Sequence, residues 1–133
     1  VVDGLLRIGE VAERLGVSTH LLRHWEAEGV ITPYRSATGA RRYSPQQVDE
    51  IAAGLRCRSA GLGLADLALL LRGSREERQA VVERQVRALR TRQIELGQAA
   101  DFLDHVLECC HPVMQECAQC RDFAGRSRYS GPI

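Results

Sequence analysis

From residue 82 to residue 107 apolar side chains recur in a four–three alternation, at Val82, Val86, Leu89, Leu96, Ala100, Leu103 and Leu107, with only Gln93 interrupting. Such a period is the seam of a coiled coil, and no proline stands between Pro45 and Pro112 to break it. The spacing predicts one helix over residues 75–108. At ~1.5 Å per residue it would be ~50 Å long, more than a head of ~70 residues can cover, so its stripe needs a partner helix. The simplest partner is a second copy, and a homodimer through residues 74–108 is expected.

The remainder of the chain is small. With 133 residues, 44% hydrophobic and 26% charged, there is material for one compact unit plus an extension and little room for an enzyme cleft, so the chain is not expected to be an enzyme. Net charge is only +1, and basic character must be sought in arrangement. All eighteen basic residues are arginine, whose planar guanidinium suits phosphate. There is neither an apolar run long enough to span a membrane nor a basic-then-apolar leader, which points to a cytoplasmic protein with no membrane partner.

Residues 7–28, RIGEVAERLGVSTHLLRHWEAE, read as two short helices around a turn. Ile8, Val11, Ala12 and Leu15 recur at helical spacing and stop at Gly16; Ser18 can cap a second helix whose inner face is Leu21, Leu22 and Trp25. The pattern is that of a helix-turn-helix, in which Thr19, His20, Arg23 and His24 lie off the buried face, free for a DNA groove or its phosphates. Residues 30–44 then carry β-branched and aromatic side chains on either side of the turn formers 36–39, a small hairpin wing bearing Arg41, Arg42 and Tyr43. Ser44-Pro45 opens a third helix containing Arg58, and 64–72 reads as a short fourth. Cys57, beside Leu55, reads as a small buried hydrophobe. The expected fold is mostly α: a winged helix-turn-helix at 1–73, a dimerisation helix at 74–108 and a cysteine-rich segment at 109–133, whose last residues, 121–133, fray or fold over the loop before them.

Four stretches, "IGEVAERLGVS", "LLRHWEAEGVI", "GARRYSPQQV" and "LRCRSAGLGLADLALLL", occur in an order and spacing that resemble the N-terminal domain of the MerR family of transcriptional regulators. The long helix and cysteine-bearing tail also resemble the family plan. The resemblance implies an antiparallel dimer on a pseudo-palindromic promoter of double-stranded DNA, where it acts with RNA polymerase by bending and untwisting an over-long spacer. It implies that a wing arginine among Arg41 and Arg42 clamps the backbone, with Tyr43 bonding a phosphate and Arg58 making a further basic contact. The family often carries arginine where His20 stands and tyrosines where His24 and Trp25 stand.

ECCHPVMQECAQC places Cys109, Cys110, His111, Cys117 and Cys120 within twelve positions after the long helix. Thiolate and imidazole are soft to borderline ligands, and in a reducing cytosol such density argues for a sensor that binds metal, zinc first and copper(I) next, or for thiol or iron–sulfur redox chemistry. A small CxxC thiol oxidoreductase fits poorly, because no strand precedes the motif. Cys109 and Cys117, with seven residues between, have the spacing seen in the copper-responsive branch that the resemblance brings in. Mercury- and zinc-responsive branches also draw a cysteine from the partner's dimer helix, and here residues 74–108 contain none.

Overall fold

The computed structural model describes residues 4–126. A two-residue strand, β1 (Leu6–Arg7), leads into α1 (Ile8–Leu15), which buries Val11 and Ala12. Gly16 ends α1 with φ +67°, a left-handed conformation that costs a side-chain-bearing residue ~1–2 kcal/mol. Ser18 Oγ then accepts the Leu21 amide at 3.1 Å and starts α2 (Thr19–Ala27), whose buried residues are Leu22 and Trp25.

The wing has three strands. β2 (Tyr34–Arg35) and β3 (Arg41–Tyr43) pair antiparallel, Arg35 opposite Arg41 and Tyr34 opposite Arg42, and β1 adds to the other edge of β3. The hairpin was legible in the sequence; β1 was not, because two residues carry no alternation to read. In α3 (Pro45–Ser59) Ser44 and Gln47 cap each other reciprocally at 3.1 and 3.0 Å, and Gln47 also donates to the Thr32 carbonyl, tying the helix start to the loop before the wing. The short α4 (Leu64–Arg72) closes the core over Ile51 and Leu67. Cys57 is half-buried against this core.

α5 (Arg75–Glu108) begins with a second reciprocal cap, between Ser74 and Glu77. Its first turns belong to the head: Val81 is buried, Arg78 donates to the Leu70 carbonyl, and Arg84 and Gln85 both bond the Asp66 carboxylate. The chain accordingly divides into two compact units inside the long helix, one extending through Arg87 and the other starting at Ala88. In the second unit, a 3₁₀ turn (Met114–Glu116) precedes α6 (Ala118–Arg126), and Phe123 of α6 stacks on Phe102 of α5 with centroids 4.2 Å apart. The first part of the tail therefore folds onto α5; residues 127–133 lie outside the described residues. Among the described residues, no helix is long and apolar enough to cross a membrane.

Gly54 is a close joint between α2 and α3. A Cβ there would stand 3.0 Å from Trp25 Cζ3 and 3.3 Å from Leu67 Cδ2, so the indole of α2 and Leu67 lie close over position 54 and even a methyl group would make them shift by a few tenths of an ångström. Gly54→Leu is expected to destabilise the head by about 1–3 kcal/mol through overpacking, read as a lowered urea midpoint at constant m-value.

Nucleic-acid face and thiol centre

Burying Leu22 and Trp25 turns the remaining faces of α2 outward. His20, Arg23 and His24 are exposed and Thr19 is half-buried, its hydroxyl accepting from Arg23 at 3.4 Å. His20 and His24 line a groove of about 470 Å³ with Ser18, Leu21, Trp25 and Arg58. The groove thus gathers residues from α2 and α3 that are 38 positions apart in sequence (58 − 20). Arg58 donates to the Leu62 carbonyl at 2.7 Å, which fixes its stem while leaving other guanidinium donors for an anion.

The wing departs from expectation at Tyr43. It is fully buried, and its hydroxyl has no hydrogen-bond partner, so it does not present itself to a phosphate. The cause is strand alternation: on β3 the side chain of Tyr43 enters the core beside Ile31 and Val48. Burial also raises its pKa above the ordinary phenol value. Arg42 is half-exposed and donates to the Arg41 carbonyl at 2.8 Å.

Arg41 is already engaged. Its Nε donates to Glu26 Oε2 at 2.5 Å, and Arg35 Nη2 donates to Glu26 Oε1 at 2.5 Å. Glu26 lies near the end of α2, so one carboxylate joins the helix to β2 and β3 of the wing. The Arg41 hydrogen bond, ahead of the opposing effect of burial, holds its carboxyl below the ordinary value. Nothing in the sequence singled out Glu26 or Arg35, since their partners are distant in sequence.

The second centre is built from two local spacings. His105 stands in the last turn of α5 and Cys109 directly after its end, its amide donating to the His105 carbonyl at 2.8 Å, so the helical spacing of four carries both to one face. Cys117 stands just before α6 and Cys120 three residues later, the relation of a helix cap to its third residue. The ligand atoms of these four side chains all lie within 4.8 Å of one another, with Cys117 and Cys120 only 3% and 4% exposed. His105 Nε2 is 3.2 Å from Cys117 Sγ.

Two predicted ligands are placed differently. Cys110 is exposed and outside the group, because adjacent residues on a turn point apart; His111 Nδ1 touches Cys109 Sγ at 3.4 Å but is itself exposed. His105 takes the nitrogen position instead. The sequence carries one signal for it, the i, i+4 spacing of His105 and Cys109, but His105 stands before the cysteine-rich stretch and the sequence reading does not single it out.

The two buried thiols differ in acidity. The Cys120 backbone amide donates to Cys117 sulfur, which, with His105 and despite burial, brings the Cys117 pKa down to about 6. Burial, reinforced by the neighbouring Cys117 sulfur, pushes Cys120 up to about 11.

Residues 6–74 match the sequence model of the MerR HTH family regulatory protein. The chain belongs to the MerR family. Among its relatives, the HTH-type transcriptional regulator HmrR of Rhizobium leguminosarum bv. viciae is 26% identical over 124 residues, spanning 84% of this chain and 96% of HmrR. A MerR family transcriptional regulator from Listeria monocytogenes superposes with a TM-score of 0.69 at 29% identity, covering 92% of this chain and 99% of that one. The fold is shared, at a TM-score of 0.67 and 22% identity over 78% of this chain and 88% of the other, with HiNmlR, a MerR family regulator lacking the sensor domain, solved bound to promoter DNA. The chain is thus a MerR-type DNA-binding transcriptional regulator, and its relatives are regulators, not enzymes. The family model ends at residue 74, ahead of the thiol centre of this MerR-type protein.

In metal-free protein, ultraviolet thiolate absorbance should show one step near pH 6. The sign is that of an acid with a depressed pKa: deprotonated above about 6, protonated below it. Cys117→Ser should remove that step; its persistence would show that another thiol titrates there.

Proposed function

We propose that this MerR-family regulator binds promoter DNA as a homodimer and responds to a metal ion held by His105, Cys109, Cys117 and Cys120. The observation that carries the effector assignment is the convergence of these four donor atoms within 4.8 Å. Ligands ~2.0–2.3 Å from one ion in tetrahedral geometry stand ~3.3–3.8 Å apart, so about 1 Å of contraction would close the set. Three thiolates and one imidazole suit zinc first, with copper(I) taking fewer of the same donors. The spacing is that of a single ion; the thiolates around a multi-iron cluster stand farther apart. All four donors come from one protomer, in keeping with the lack of cysteine in residues 74–108. When bound, the ion would cross-link the end of α5 to the start of α6.

The dimer reading rests on the unpartnered seam. Val82, Val86, Leu89, Leu96, Leu103 and Leu107 are all exposed, Leu107 by 85%. A row of large apolar side chains at heptad spacing is stable in water only when covered. Its cover is a second copy of α5, which brings two heads to one duplex and with them the remodelling of a promoter spacer that RNA polymerase reads.

In this reading His20, Arg23, His24, Arg42 and Arg58 are the DNA-facing side chains, with Thr19 holding Arg23 in place. Arg23→Ala should weaken duplex binding and flatten the slope of log affinity against log salt by about one unit. An unchanged slope would remove Arg23 from the phosphate contacts.

Protein purified anaerobically and titrated with zinc should take up one ion per protomer. His105→Ala or Cys120→Ser should weaken that uptake by more than about 100-fold, since even second-shell losses cost 10–100-fold, while Cys110→Ser should not. Failure of the parent protein to bind zinc or copper(I), with all thiols free, would end the metal reading.

A further inference from the structure

We propose that Glu26 is a specificity-determining residue of the DNA-binding head: its carboxylate withholds Arg35 and Arg41 of the wing from phosphate, so that the wing contributes shape and little unspecific charge. The inference rests on the DNA-binding reading and on geometry in the head alone.

Arg35 and Arg41 face each other across the β2–β3 ladder. Two guanidinium groups directly opposite on one rung repel, and a pair of like charges on a hairpin is destabilising unless something lies between them. Glu26 supplies that element. It offers one oxygen to each arginine at 2.5 Å, and the two contacts are bonded geometries on Nη2 of one and Nε of the other. Arg35 is further tied down, its Nη1 donating to the Gly39 carbonyl at the wing tip at 3.1 Å. The side chain of Glu26 is only 22% exposed and that of Arg41 29%, so water screens this pair less than it would a free surface pair.

The chemical consequence follows from how duplexes are bound. Non-specific affinity comes almost wholly from cations that displace counterions from phosphate, whatever the sequence, whereas specificity comes from groups that read base edges or groove shape in one orientation. The face of α2 holds the groove-lining His20 and His24 beside Arg23. Two mobile arginines on the wing would add sequence-blind affinity next to it. A carboxylate at the C-terminal end of the same helix also stands unfavourably in the field of that helix end, a cost that the two guanidinium groups offset. Glu26 therefore does more than add a surface ion pair. It joins recognition helix to wing at a fixed separation and sets how much of the wing's positive charge remains for the duplex.

The test uses the full chain and two duplexes: one of random sequence, and one that the parent protein selects from a randomised library. Glu26→Gln keeps the shape of the side chain and removes its charge. The slope of log affinity against log salt on the random duplex should steepen by one to two units, as about 0.9 counterion is released per freed arginine. Across a fourfold salt range that amounts to about a threefold gain per contact at the low end, or roughly tenfold for two. The ratio of selected to random affinity should fall accordingly. Removing the arginines as well, with Glu26→Gln combined with Arg35→Gln and Arg41→Gln, should return the random-duplex slope to the parent value.

A brace that acts only on folding would weaken both duplexes in parallel with slopes unchanged, and that result would overturn the proposal. So would a steepened slope that survives loss of the two arginines. If the parent itself bound no duplex, the DNA-binding reading would fall, an outcome distinct from either of these.

Discussion

The packing of Trp25 onto Gly54 is the joint from which the DNA-binding head takes its geometry. The indole is buried close over a residue without a Cβ, and an added Cβ would stand 3.0 Å from the ring, tighter than ordinary van der Waals contact. With Trp25 and Leu22 inward, helical periodicity leaves no choice about the rest of α2: His20, Arg23 and His24 face out, and Glu26, one residue beyond the indole, arrives at the edge of the wing. Recognition surface and wing latch are both consequences of one close contact in the core.

The wing shows how alternation and charge divide a short strand. On β3, Tyr43 fills the core, Arg42 stays at the surface and Arg41 is drawn to Glu26. Three consecutive residues that look equally suited to DNA thus have three different fates. Buried area governs the first, solvation the second and ion pairing the third. A carboxylate whose pKa is depressed mainly by Arg41 stays ionised at neutral pH, so this division does not depend on conditions near neutrality.

In the second unit, two rules of local geometry meet. A four-residue step from the last turn of α5 to the residue after its end brings His105 and Cys109 to one face, and a helix-cap relation brings Cys117 and Cys120 to the start of α6. Pro112 lies in the segment that joins them, after the end of α5, where a proline cannot continue a helix. The stacked rings of Phe102 and Phe123, 4.2 Å apart, hold α6 on α5 independently of the thiols. Helix packing and these two spacings together bring the four donor atoms within 4.8 Å of one another.

Much of the architecture was contained in local signals. Gly16, Ser18, Ser44-Pro45 and Gly73-Ser74 mark helix ends by capping chemistry, which acts within a few residues; the heptad period of α5 and the turn residues of the wing are likewise local. The sequence by itself therefore determined the order of the first five helices, the family, and the presence of a cysteine-rich centre after a seam, while α6 was not legible in it. What only the tertiary structure decided were partnerships between distant residues: Tyr43 in the core, Glu26 between Arg35 and Arg41, the head reaching to Arg87, and His105 rather than Cys110 or His111 beside the buried thiols. The physical reason is the same for all four. A side chain's direction follows from its own helix or strand, but what it meets there depends on how separate elements pack, and that free energy has no signature in neighbouring residues.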